Sequence, residues 1–158
     1  MVTSWRIATD TPDYEAHDLS GKGAEISGGR WNRKGRPVVY SASSLSLAAL
    51  ETAVHLPTGT LPLNRFVVRV DIPDAIWAAR LSWDSASLPV GWSARPEGKV
   101  SLDVGDSWLA SLASAILVVP SVVVAEEFNV LINPKHQDSA KITAAQTRAW
   151  FFDERLKK

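Results

Sequence analysis

The chain has 158 residues, 46% of them hydrophobic, with 17 Lys+Arg balancing 17 Asp+Glu and no cysteine. That length suits one domain, since domains most often run to roughly 100–150 residues. Zero net charge excludes a general attraction to a phosphate backbone or an anionic membrane, and the lack of cysteine excludes thiolate nucleophiles, disulfides and Cys-zinc sites.

In chain order, Trp5 to Ala8 reads as a short first strand. Residues 20–37 are rich in Gly, Ser and basic side chains and read as a long functional loop. Pro37 to Ser41 is β-branched and enters from a proline, the pattern of a strand. Ser43 or Ser44 caps a helix running through Leu47, Ala48, Leu50 and Val54 to about His55, with Pro57 and Gly59 ending it. Arg65 to Ile72 alternates as a strand with one wet face. Residues 82–107 carry Pro89, Gly91, Pro96, Gly98 and Gly105 and predict an irregular excursion containing at most a short helix. Trp108 to Ser114 predicts a short helix, and Ala115–Pro120 and Asn129–Pro134 predict buried strands. Trp150-Phe151-Phe152 with the charged tail predicts an edge strand closing the sheet. The sum is an α+β fold, one domain over residues 1–158, with a mixed sheet flanked by helices.

Met1 to Arg6 lacks a basic segment followed by an apolar run, and the apolar stretch Ala115–Ala125 is broken by Pro120 and Ser121. The expectation is a cytoplasmic protein with no membrane span and no direct nucleic-acid partner. Surface charge and aromatics permit a homodimer without requiring one.

Arg30 sits in Gly28-Gly29-Arg30-Trp31-Asn32, where glycines allow close backbone approach and the guanidinium offers a fork suited to phosphate. A surface arginine in a flexible loop fits the same residues. Tyr40, at a strand end, either walls a pocket or is half-buried in the sheet. Glu51 lies among Leu47, Ala48, Leu50 and Val54, so it either faces the buried stripe, where a carboxylate must be paired, or points to solvent. Ser121 after Pro120 faces a cleft or makes an ordinary turn. His17, His55 and His136 match no zinc-binding spacing, so no metal site is expected. His55 suits a helix C-terminus. No P-loop, G-x-G-x-x-G or G-x-S-x-G element is present.

Taken in order, these blocks resemble the RES family, named for an arginine, a glutamate and a serine. The resemblance rests on Trp5-Arg6-Ile7, on Leu19 to Ala24 leading to Gly28-Gly29-Arg30-Trp31-Asn32, and on Val38 to Ala42. It continues through Ser46 to Glu51 with His55-Leu56, Val119-Pro120-Ser121, and Glu127 to His136. Residues 74–107 contribute nothing to it.

The resemblance implies a fold related to ADP-ribosyltransferases and a toxin paired with a helix-turn-helix (Xre-like) antitoxin that covers the active site. It implies NAD+ as substrate, no prosthetic group, and cleavage of the nicotinamide–ribose bond with ADP-ribose passed to water or, in some members, inorganic phosphate. Arg6 and Arg30 would hold the substrate, Tyr40 would be an aromatic pocket residue, Glu51 the catalytic glutamate and Ser121 the motif serine. Arg30 and Ser121 would thus serve both binding and catalysis. A protein ADP-ribosyltransferase is the alternative, and a non-catalytic module holding a nucleotide or peptide is a third reading.

Overall fold

The most apolar segments form interior strands of the sheet, because strands buried on both faces cannot alternate. Strand β5 (Ile116–Pro120) is buried at every position. It pairs antiparallel with β6 (Phe128–Ile132), which pairs antiparallel with β2 (Val39–Ala42). On the far side, β1 (Val2–Ala8) pairs antiparallel with β3 (Phe66–Ile72), and β3 with β7 (Thr143–Ala149). A two-residue strand, β4 (Leu81–Ser82), runs parallel to β5 at the opposite edge. The full order is β4-β5-β6-β2-β1-β3-β7. The computed structural model describes residues 1–156 apart from Thr58 and Thr60.

One joint in this sheet differs from the rest. β1 matches β3 through every residue from Val2 to Ala8, and β2 matches β6 from Val39 to Ala42. Between β1 and β2 the register holds a single pair, Trp5 with Ala42. Beyond that pair, Arg6–Ala8 and Val39–Ser41 face each other without a paired register.

Alternation along the strands makes two cores. Val39, Val68, Val70, Ile72, Ile116, Val118, Val130 and Ile132 form one, beneath Ala16 and the short helix α3 (Asp74–Ala78). On the other face, Val38, Leu117, Val119 and Leu131 meet Trp31, Trp108 and Leu109. Beside them Ala42 packs with Leu47 and Ala48 of α2 (Leu45–Val54) and with Trp5. Each fully buried aliphatic or aromatic side chain contributes about 1.5–3 kcal/mol. That second face carries the candidate site.

The α+β architecture matches the sequence-based expectation, and α2 begins as expected, with the Ser44 hydroxyl accepting from the Leu47 N–H at 3.1 Å. Three expectations are corrected. The 20–37 loop contains a one-and-a-half-turn helix, α1 (Lys22–Ser27), which buries no residue and so leaves no apolar stripe to read. The short helix placed at Trp108–Ser114 is the end of a longer one, α4 (Lys99–Ser111). Its N-cap is Gly98, with no capping side chain, and its C-cap is Leu112, in the left-handed region at φ 54°, so neither end carries a standard signal. The closing edge strand is β7, not Trp150–Phe152; its mostly exposed sequence, TAAQTRA, lacks the apolar alternation by which strands are recognised. Lys157 and Lys158 of the expected tail lie outside the described residues.

Candidate active site

Helix α2 buries Leu47 and Ala48 against the sheet, and Glu51 follows at the four- and three-residue spacings that place side chains on one helix face. Its carboxylate is therefore half-buried and must be paired. Oε2 accepts from the Ser121 hydroxyl at 2.9 Å, and Oε1 accepts from the Asn129 side-chain amide at 2.7 Å. Ser121 is fully buried just past β5, where its Oγ also accepts from the Val123 and Val124 N–H groups at 3.1 and 3.2 Å. One hydroxyl thus ends the strand and aims at the carboxylate. Burial pushes the Glu51 pKa up; the Asn129 and Ser121 hydrogen bonds and His55 pull it down, and Glu127 pushes it up again.

Arg30 and Trp31 form the tip of a tight turn closed by the Gly29 N–H donating to the Asn32 carbonyl at 3.0 Å. Tyr40 organises this turn. Its hydroxyl accepts from the Trp31 N–H at 2.9 Å and donates to Asn32 Oδ1 at 2.6 Å. The Asn32 amide in turn donates to the carbonyls of Ala24 and Arg36 at 2.9 and 2.8 Å. Gly29 is required here, because a Cβ at that position would sit 2.8 Å from Tyr40 Oη. Burial drives the Tyr40 pKa well above the ordinary phenol value, so the ring keeps its proton.

Arg30 Nη1 donates to the carbonyls of Trp92 and Ala94 at 3.0 and 2.8 Å, and Trp31 stacks on Trp92 with centroids 6.1 Å apart. Residues 92–94 therefore form a strap held by the Arg30 turn. Sequence reasoning assigned this segment no role, because turn formers at that spacing do not show what they touch. Burial lowers the Arg30 pKa, Glu97 raises it, Arg95 lowers it and Tyr40 raises it.

Register brings these two groups onto one face. Tyr40 lies opposite Leu131, and Ala42 opposite Asn129. Tyr40 and Asn129 are therefore diagonal neighbours, about 7–8 Å apart, on the same side of the sheet. Arg30, Tyr40, Glu51 and Ser121, all expected from the sequence, share that side with Asn129, which sequence reasoning missed. Its signal was its place in Glu127-Phe128-Asn129, three residues from the buried end of β6, but only the pairing with Ala42 aims it at Glu51.

Arg6 is placed differently. Trp5 packs with α2, so alternation directs Arg6 to the opposite face, where Asp18 and Tyr14 are its electrostatic neighbours. Its Nε is out of solvent's reach and has no hydrogen-bond partner among the described residues. Burial lowers its pKa, against the raising influence of Asp18 and Tyr14. It stands where β1 parts from β2, one residue past the single pair joining those strands. Among the described residues no group of three or more His, Cys, Asp or Glu side chains could hold a metal ion. No helix among the described residues is long and apolar enough to cross a membrane.

A carboxylate fixed by two neutral donors, beside an aromatic-walled turn presenting arginine, is a constellation for holding an anionic ligand and stabilising a cationic reacting centre. The RES domain family model matches residues 3–153. The chain belongs to the RES family. A protein of Sphingobium sp. (strain YBL2) named "Prs ADP-ribosylating toxin" is 53% identical over 157 residues, covering 99% of this chain and 98% of that one. "Toxin Res" of Yersinia enterocolitica is 37% identical over 145 residues, covering 91% and 93%. The fold is similar to one solved in the Mycobacterium tuberculosis MbcT-MbcA toxin-antitoxin complex, with a TM-score of 0.67 at 17% identity, covering 99% of this chain and 86% of that one.

Proposed function

We propose that this chain is the toxin half of a toxin–antitoxin pair and that it cleaves the nicotinamide–ribose bond of NAD+, delivering ADP-ribose to an acceptor. The observation that carries this reading is the Glu51 carboxylate, half-buried yet held by Ser121 and Asn129 on the face that also carries Tyr40 and Arg30. Breaking the C1′–N bond sends its electron pair to nicotinamide, which leaves neutral, and builds positive charge on the ribose. An oriented carboxylate stabilises that charge. The acceptor's lone pair then forms the new bond at C1′, and its proton passes to Glu51 and on to solvent. Arg30 serves the diphosphate and Tyr40 the flat nicotinamide ring, while Arg6 lies on the other face of the sheet. The Sphingobium relative's name favours a protein as acceptor, while water or phosphate gives free ADP-ribose or its phosphate ester. Toxicity requires a neutralising partner, and the MbcT-MbcA neighbour supports an antitoxin as that partner.

Purified chain, free of any partner, is expected to release nicotinamide from NAD+, and Glu51→Gln to slow this by ~100- to 1,000-fold, the usual cost of one electrostatic stabiliser. Mass spectrometry of cell proteins after induction separates the acceptors. ADP-ribosylated protein in proportion to nicotinamide released marks a transferase; free product alone marks a glycohydrolase or phosphorylase. No nicotinamide release, with or without phosphate and cell extract, overturns the reading.

A further inference from the structure

The turn that presents Arg30 is held from behind by helix α4. Gly105 lies against the carbonyl of Trp31 so closely that a Cβ there would overlap it, at 1.7 Å. The next residue, Asp106, is buried, with 7% of its surface exposed. One of its oxygens accepts from the Arg33 backbone N–H at 3.1 Å, and the other from Arg33 Nη1 at 2.8 Å. Arg36 Nε adds a looser contact at 3.7 Å. Arg33 also reaches Asp103 at 2.9 Å.

A carboxylate this buried is expensive unless its partners serve it well. Packing alone does not require it, since its helix neighbours Val104, Trp108 and Leu109 pack in an apolar cluster. What Asp106 grips is the residue directly after the Gly29–Asn32 bridge, so it fixes one leg of the turn whose tip is Arg30. With Asp103, it also balances the charge of Arg33 and Arg36, two cations in the same loop. Without it, Arg36 loses this contact and Arg33 keeps only Asp103, which leaves more positive charge beside Arg30.

We propose that Asp106 is a positioning residue for the ligand-binding turn, acting through Arg33 to fix where Arg30 presents its guanidinium. This rests on the proposed NAD+ reading. It predicts a loss in substrate binding rather than in the chemical step, because Asp106 reaches Glu51 through none of its contacts.

The test measures NAD+ binding by calorimetry in the Glu51→Gln background, where turnover is suppressed, and steady-state nicotinamide release in the Glu51 chain. Asp106→Asn is expected to raise Kd and KM by about tenfold or more, as a displaced positioning group does, while kcat stays within about threefold. Arg33→Gln alters an exposed side chain, so it tests the same link should Asp106→Asn fold poorly; its effect is expected in the same direction and smaller, because the backbone N–H bond to Asp106 survives. The double variant is expected to bind no worse than Asp106→Asn alone. Unchanged Kd in folded Asp106→Asn and Arg33→Gln overturns the inference while leaving the NAD+ reading intact. So does an equal fall in kcat and rise in KM accompanied by a lowered Tm, which marks a structural role. Absence of NAD+ binding and turnover in the parent chain overturns both.

Discussion

Glu51 in α2 and Ser121 at the end of β5, seventy positions apart, share a 2.9 Å hydrogen bond that ties a helix on the sheet face to the turn beyond a central strand. The same serine oxygen satisfies two backbone N–H groups of that turn. Fold and site therefore draw on one atom.

Ser121→Ala is expected to show both roles. Two partly buried N–H groups lose their acceptor, which costs about 1–3 kcal/mol and lowers Tm accordingly. Nicotinamide release is expected to fall by about tenfold, less than for Glu51→Gln, because Asn129 still holds one carboxylate oxygen. Thermal melts and product assays on one preparation check both.

The pH dependence follows from the raised Glu51 pKa. The reaction needs the ionised carboxylate, so activity is expected to fall on the acid side with a midpoint above the ordinary 4.5 of a glutamate. For stability the sign is opposite. A folded-state pKa above the unfolded value means that folding takes up a proton. The stabilising contribution is complete below about 4.5 and disappears as pH rises through the folded value. Tm of the parent relative to Glu51→Gln, followed across that window, is expected to decline with rising pH; a flat difference contradicts it.

Arg6 separates stability from binding. Its Nε lies buried without a partner among the described residues, and burial disfavours its charge. Arg6→Met keeps the length of the side chain but removes a partly buried cation and its attraction to Asp18, so the two effects offset and stability is expected to change by less than about 1 kcal/mol. Added NAD+ is expected to raise Tm of parent and variant alike, because Arg6 lies on the face away from Glu51.

Tyr40→Phe keeps the ring and deletes the hydroxyl that binds Trp31 and Asn32. The orphaned Trp31 N–H is expected to cost about 1–2 kcal/mol and to loosen the Arg30 turn, so KM rises more than kcat falls. Because burial keeps the phenol protonated, the substitution leaves any alkaline limb of the pH profile unmoved.

Much of the centre of this fold was legible because its signals are local. β5 and β6 are apolar runs, β3 alternates, and α2 has a serine cap and a buried pair one turn in. The ends of α4 were hidden because Gly98 and Leu112 occupy places where a polar cap and a glycine are usual. β7 was hidden because an exposed edge strand has no buried face to pattern. Arg30, Tyr40, Glu51 and Ser121 were singled out by their local context and given roles by the family resemblance, and the structure places them on one face. Asn129 and Asp106 were not, since what each grips is decided by strand register or helix docking, neither of which a single sequence displays. The side of β1 to which Arg6 points depends likewise on which neighbour takes Trp5.

With a single matched backbone position, Trp5 with Ala42, the sheet divides into two leaves, one holding β4, β5, β6 and β2 and the other β1, β3 and β7, joined besides by the 2.8 Å Ser41–Ser4 hydroxyl contact and by α2. Arg30 and Tyr40 belong to the first leaf and Arg6 to the second. A molecule resting against both leaves would act as a splint across the seam, damping their relative motion. Amide exchange along Arg6–Ala8 and Val39–Ser41 is where that damping would be recorded.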